Sequence, residues 1–365
     1  MTAYSQDGSV RHEFERANQG VFLAAVNAVL AKFLDELPLA FDTPELTWLL
    51  KRLRRFILEG GKRALATYCY WGFRGASGAP HPPGLVTAAA GLEMLQACAL
   101  LQDDIVDRSP LRRGQAAMPR QLTEHHVERC WGGSPDDFGI SGTLVLSDLC
   151  LSWTGTLIDR STRDAARARA LRAVVDEIVR HAAYGTVLEL IAQAARDYDL
   201  SRAFTIAHHK CGRYMFSPAL RAGGIMADAS VELQGAYAKA GVAIGEAFQF
   251  RNDILDIFRK MDVTGKAMLD DVRQGTPTVL VAYALRLARP DQIQRIRHLY
   301  GNPEITDNEA EELRVLFRTS GAVAVVEKCI DERTDTAVAV LRRAVGGDMG
   351  PAVEALVRAT LRYDR

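Results

Sequence analysis

Long segments of this chain carry apolar residues at the spacing of an α-helix, and strand-like alternation of Val, Ile and Thr is scarce. Helices are expected near residues 20–39, 44–58, 85–107, 139–158, 164–196, 201–226, 231–260 and 321–344. Thr306, with Glu311 and Glu312 shortly after it, reads as a further helix start. Gly60-Gly61, the run from Gly72 to Gly84, Ser109-Pro110, Gly132 to Pro135, Pro290 and Gly346-Gly347 punctuate these segments. A chain without strands must bury helix against helix, so an all-α bundle is expected. No repeat, low-complexity tract or linker divides it. Residues 1–18 are polar and expected to be a flexible segment, and residues 19–365 a single helical domain.

The chain has 365 residues, of which 48% are apolar, enough for a large core. Its 45 Lys and Arg balance 45 Asp and Glu, which argues against wrapping nucleic acid but allows a local basic pocket. The 6 cysteines show no metal-ligand spacing and read as free thiols of a reducing cytoplasm. The N-terminus lacks a basic-then-apolar signal pattern. Glu93 and Gln96 interrupt the apolar stretch from Leu85 to Gln102, as expected of a buried helix rather than a transmembrane segment.

The chemistry concentrates at Leu100-Leu101-Gln102-Asp103-Asp104-Ile105-Val106-Asp107. Following an apolar helix, Asp103 and Asp107 fall at i and i+4 on one face, where side chains sit ~5–6 Å apart. Carboxylates that close repel by about 3–4 kcal/mol at an effective dielectric near 20. A solvated helix end would tolerate this; a bound cation would resolve it. Mg²⁺ suits the arrangement, taking one or two carboxylates and completing its shell with water and phosphate oxygen. A second cluster, Phe248-Gln249-Phe250-Arg251-Asn252-Asp253-Ile254-Leu255-Asp256, again sets oxygen ligands on an apolar helix. The pair suggests facing helices around one metal-filled cavity, with Asn252, Asp253 and Asp256 as ligands beside Asp103, Asp104 and Asp107. An anionic substrate also needs cations. Arg112 and Arg113 follow the first cluster, Gly60-Gly61-Lys62-Arg63 places two more behind a flexible turn, and Lys210 and Lys266 lie near the right segments.

These residues resemble the trans-isoprenyl diphosphate synthases, or polyprenyl synthetases. The family's first motif, DDxxD followed by an arginine pair and glycine, matches Asp103, Asp104, Asp107, Arg112, Arg113 and Gly114. Its FQxxDDxxD motif is matched by Phe248, Gln249, Asp253 and Asp256, and its GGKR motif by residues 60–63. Lys210-Cys211 with Pro218 and Leu220 resembles its KT…PL stretch, and Gly265-Lys266 the glycine-lysine after the second motif. Gln96 stands where members carry His or Gln. The resemblance implies antiparallel helices around a deep central cavity, the isoprenoid-synthase type, in a homodimer. It further implies an enzyme that joins an allylic isoprenyl diphosphate to isopentenyl diphosphate with three Mg²⁺ ions bound to the diphosphate. Arg112, Lys210 and Lys266 would hold the allylic diphosphate, and Lys62, Arg113 and Gln96 the isopentenyl diphosphate.

The sequence departs from the family pattern at several positions. Leu65 replaces the arginine three residues after Lys62, Ala66 the next proline, Asn252 the first aspartate of the second motif, and Thr276 a late lysine. Cys211, Thr186 and Glu189 are lesser changes. If Lys62 and position 65 share one face, a diphosphate contact is missing. That leaves open a terpene cyclase, a prenyltransferase for another acceptor, or a non-catalytic subunit of a synthase. In the family it resembles, bulky side chains four and five positions before the first motif close the elongation pocket, so the small Ala99 and Cys98 imply room for a product of C20 or longer.

Overall fold

Six of the helix starts are written locally in this chain. The side chains of Thr43, Ser134, Asp164, Asp199, Thr278 and Thr306 each accept from a backbone amide two or three residues on, satisfying donors that a helix N-terminus leaves open. Proline follows Thr43 and Ser134 at the first helical position, where its missing N–H costs nothing. Thr306 makes a reciprocal capping box with Glu309, nearer than the acidic pair the sequence suggested.

The computed structural model describes residues 4–37, 43–77, 81–258, 269–345 and 349–361. Its helices are α1 (Tyr4–Asp35), α2 (Pro44–Leu58), α3 (Ala64–Ser77), α4 (Pro83–Val106), α5 (Met118–Glu128), α6 (Pro135–Ser161), α7 (Ala165–Ala195), α8 (Leu200–Ala207), α9 (Ser217–Met226) and α10 (Val231–Phe258). They continue with α11 (Asp270–Gln274), α12 (Val279–Leu287), α13 (Pro290–Leu299), α14 (Asp307–Thr319), α15 (Ala322–Val345) and α16 (Met349–Leu361). Between α8 and α9 the helix continues without a break but widens to π geometry over His208–Phe216. The all-α expectation holds, with one addition: a hairpin of β1 (Leu111–Arg112) and β2 (Gln115–Ala116).

Helix α4 packs along α6, α10 along α15 and α3 along α9, while α7 and α10 both pack on the π segment. The apolar face of each helix meets one continuous core. Helix α4 is long and apolar enough to cross a membrane, but 72% of its most apolar window is buried among its neighbours. Two boundaries differ from expectation. Helix α1 begins at Tyr4, within the segment expected to be flexible; Arg11, Glu13, Glu15 and Arg16 are helix-favouring types. Helix α3 runs straight through Gly72, read from sequence as punctuation. A Cβ there would lie 2.1 Å from the Leu220 carbonyl oxygen, so this glycine lets α3 and α9 touch backbone to backbone.

A carboxylate-rich candidate active site

The first motif ends α4. The Asp107 amide donates to the Asp103 carbonyl at 2.8 Å, so the two carboxylates are one helical turn apart as expected. Arg108 then takes a left-handed conformation (φ 48°) and the chain enters the hairpin. Its turn residues, Arg113 and Gly114, both have positive φ (55° and 76°), the primed geometry that matches strand twist and favours glycine at the second position. The hairpin folds Arg112 back onto α4. Its Nε donates to Asp104 Oδ1 at 2.6 Å and its Nη2 to Asp103 Oδ2 at 2.8 Å, and Asp104 is only 1% exposed. Burial opposes the Arg112 charge, but Asp103 and Asp104 more than offset it and raise its pKa. Arg113 points the other way, donating to the carbonyls of Phe56 (3.0 Å) and Glu59 across the face of Gly60-Gly61. Burial, Arg63 and Arg112 lower its pKa.

The π segment brings in the third basic group. π-turns inside helices recur at functional sites, and here the segment is seated by a glycine: a Cβ on Gly245 of α10 would lie 2.2 Å from the Cys211 carbonyl oxygen. Lys210 Nζ donates to Glu189 Oε1 of α7 at 2.6 Å. Burial disfavours the ammonium, yet Glu189, Asp107 and Asp103 outweigh it and hold the Lys210 pKa well above the usual lysine range. The Tyr214 hydroxyl donates to Gln96 Oε1 of α4 at 2.7 Å. The Cys211 thiol, pushed up to about 12 chiefly by burial, donates to Gln249 Oε1 of α10 at 2.8 Å.

Gln249 passes this contact on, its Nε2 donating to Asp253 Oδ1 at 2.7 Å. Asp253 is 2% exposed, and burial together with Asp271 raises its pKa well above the carboxylate range. Asp256 Oδ2 accepts from the Asp271 amide at 3.1 Å, and Gln274 Nε2 donates to the Asp107 carbonyl at 2.5 Å, tying α11 to both clusters. Asn252 lies half-buried on the same helix. Lys210 is within the electrostatic reach of Asp103 and Asp107 at the end of α4 and of Asp253 on α10, and α11 touches both clusters.

This donor set fits a hard divalent cation. The contributing side chains offer carboxylate and amide oxygens, and the crowding that raises Asp253 is relieved by positive charge. Among the described residues no three acidic, histidine or cysteine side chains converge closely enough to hold an ion by themselves. Magnesium there would draw the rest of its shell from water and substrate phosphate.

Other expected positions fall elsewhere. Lys62 is exposed just before α3. Arg63, expected to bind substrate, is 6% exposed. Its Nε donates to Asn27 Oδ1 (2.8 Å), its Nη2 to the carbonyls of Ile57 (2.8 Å) and Leu58 (3.2 Å), and its Nη1 lies 3.5 Å from Glu93. It is an interior brace between α1, α2 and α4, because its left-handed φ of 51° swings the side chain inward. Leu65 is 1% exposed and part of the core, so the shared face with Lys62 does not form. Lys266 lies outside the described residues. Sequence reading undervalued Glu189 and missed Glu93, Tyr214 and Gln274. The Asp270-Asp271 pair after the second cluster was an available signal; for Tyr214 and Gln274 the sequence offers none.

Two pockets among the described residues bear on the reading. One, about 100 Å³, is walled by Arg52, Arg55, Glu59, Arg112, Arg113 and Gln121. The wider, about 400 Å³, holds His208, Glu246 and Arg333, and none of the expected site residues lines it.

The polyprenyl synthetase family profile matches residues 46–316 of this chain. The chain is similar to the geranylgeranyl pyrophosphate synthase of Corynebacterium glutamicum, solved with isoprenyl diphosphate and magnesium. The identity is 30% and the TM-score 0.88, covering 93% of this chain and 98% of that one. It is 27% identical over 245 residues to the nonaprenyl diphosphate synthase of Mycobacterium tuberculosis, covering 67% of this chain and 66% of the relative. It is 26% identical over 324 residues to the octaprenyl diphosphate synthase of Escherichia coli, covering 87% and 91%.

Proposed function

The chain belongs to the polyprenyl synthetase family, and from that premise we propose that it condenses an allylic isoprenyl diphosphate with isopentenyl diphosphate. The observation that carries the reading is Lys210, a half-buried ammonium paired with Glu189 at 2.6 Å and within the electrostatic reach of Asp103, Asp107 and Asp253. An ammonium there attracts the diphosphate of the allylic substrate, and the clusters hold the cations that diphosphate brings. Asp103, Asp104 and Asp107, with Asn252, Asp253 and Asp256, would hold Mg²⁺, three ions on this reading. When bound, Mg²⁺ acts as a Lewis acid that stabilises the departing diphosphate.

The chain's own residues supply orientation. Arg112 fixes Asp103 and Asp104 through two charge-assisted bonds. Glu189 aims Lys210, and Gln249 aims Asp253. Lys266 and Lys62 are assigned to the allylic and acceptor diphosphates by their motifs, and Gln96 to the acceptor side. Departure of the allylic diphosphate leaves an allylic cation, the isopentenyl double bond attacks it, and loss of a proton restores an alkene. The small Ala99 and Cys98 of α4 support a product of C20 or longer, and the three relatives named above are synthases of geranylgeranyl, octaprenyl and nonaprenyl diphosphate.

We place the enzyme in the cytoplasm, in keeping with free thiols at all 6 cysteines. We also propose a homodimer. Leu144 and Val145 of α6 and Tyr184, Val187 and Ile191 of α7 are exposed apolar side chains that a second copy would cover.

The deciding experiment is incubation with a labelled allylic diphosphate and Mg²⁺, with and without isopentenyl diphosphate. A longer prenyl diphosphate that forms only with both substrates is expected. A cyclic product without isopentenyl diphosphate, or no product, overturns the reading.

A further inference from the structure

Condensation requires a second diphosphate to be held beside the first, and two of the positions the motifs suggest for its cations, 63 and 65, do not face it. Leu65 is core, and the Arg63 guanidinium is committed to Asn27, Ile57, Leu58 and Glu93. Positive charge remains in the pocket beneath the hairpin, where Arg52, Arg55 and Arg113 face one carboxylate, Glu59, and Arg112, already paired with Asp103 and Asp104, closes the wall. We propose that Arg52 and Arg55 of α2 supply the charge missing at position 65 and, beside the Arg113 that the family motif already implies, hold the diphosphate of isopentenyl diphosphate in this pocket. The assignment rests on the condensation reading and deepens it.

Three features carry it. First, position: Arg112 is a shared wall, lining the pocket while its guanidinium binds Asp103 and Asp104. An acceptor held there is one side chain from the carboxylate site, as bond formation between two substrates requires. Second, preorganisation. Arg52 is stacked over the Trp48 ring, 3.7 Å from its centroid, and Trp48 is itself stacked on His125 at 3.7 Å. Stacking holds the guanidinium plane while leaving its edge donors for a planar or tetrahedral oxyanion. Arg113 is pinned by the carbonyls of Phe56 and Glu59 at the pocket's rim. Third, displaceability. Arg55 is paired at 2.9 Å with Glu59 across one helical turn, both side chains more than half exposed. Such pairs contribute little, so a polyanion can exchange for Glu59. A pocket of about 100 Å³ has room for a diphosphate.

The test is steady-state kinetics on full-length protein, with each substrate varied in turn. Arg52→Gln and Arg55→Gln should each raise KM for isopentenyl diphosphate about 10-fold, and the double variant roughly 100-fold, the loss expected of charge-assisted contacts. KM for the allylic diphosphate should stay within about twofold. Glu59→Gln should act in the opposite direction and lower KM for isopentenyl diphosphate, an effect a merely structural α2 would not give. Arg54→Gln, whose partner is Asp35 on α1, is the control and should leave both constants unchanged. Calorimetry with inorganic diphosphate in EDTA provides a second measurement: wild type should bind, and the folded double variant should not. An unchanged KM for isopentenyl diphosphate in the double variant overturns the assignment. If wild type yields no condensation product, the condensation reading itself falls and the calorimetry decides the pocket alone. Equal heats in wild type and double variant then overturn it.

Discussion

Arg63 and Leu65 lie two positions apart at the start of α3, and both are buried for different reasons. Arg63 satisfies the carbonyls at the end of α2, while Leu65 fills the core behind them. Restoring the family's arginine by Leu65→Arg should therefore not improve acceptor binding. It should bury an unpaired charge and destabilise the protein by about 3–5 kcal/mol, read as a lowered Tm with no gain in elongation; a variant that is both stable and faster would show that the position opens to substrate. Asp107 behaves oppositely. Half-exposed at the end of α4, it contributes little to the core. Asp107→Ala should keep the helical circular dichroism and Tm of the wild type and lose at least about 100-fold in kcat, the scale of removing an electrostatic stabiliser of the transition state. Wild-type turnover persisting in EDTA would contradict the metal role behind this expectation.

The π segment is the element on which the site depends, and it is held from both sides by carboxylates. Glu177 of α7 binds Arg213 (3.4 Å) and Arg221 (2.5 Å); Glu246 of α10 binds His208 (2.8 Å) and Arg333 (2.6 Å). Burial raises the pKa of each, but these partners prevail and lower both below the ordinary 4.5. A carboxylate whose folded pKa is depressed stabilises the native state above its unfolded pKa, and that contribution is lost as pH falls through the folded value. Stability should therefore drop on acidification below about pH 4.5, and Glu177→Gln should flatten that limb while lowering Tm at neutral pH. Thermal melts from neutral pH to pH 3 measure both; parallel curves for wild type and variant would mean the clasp is energetically silent.

At the scale of the whole molecule, α4 connects the carboxylates to the depth of the bundle. Ala99 lies one turn below Asp103, and Leu95, buried at 3% exposure, one turn deeper. A ring at position 99 should obstruct a growing chain, so Ala99→Phe should shorten the product, read by chromatography of the dephosphorylated prenols. Unchanged length would put the chain along another wall. The exposed apolar side chains of α6 and α7 make a separate claim. Val187→Glu should halve the mass measured by light scattering if a second copy covers them, and a wild-type monomer would refute the dimer.

Helix existence was legible because capping residues, prolines and apolar spacing act over a few residues, and α2 and α10 start where sequence places them. The two carboxylate clusters were legible for the same reason: carboxylates on an apolar helix need a nearby cation wherever the helix goes. Three things were decided by tertiary structure alone. Gly72 became a packing contact because α9 approaches its backbone. Arg63 turned inward because a positive φ and orphaned carbonyls met there. Glu189 became the partner of Lys210 because the π segment carries that lysine to α7. Local sequence sets backbone preference and charge. Which groups share a low-dielectric interior depends on residues distant in the chain, and that neighbourhood decides whether an arginine binds substrate or braces the fold.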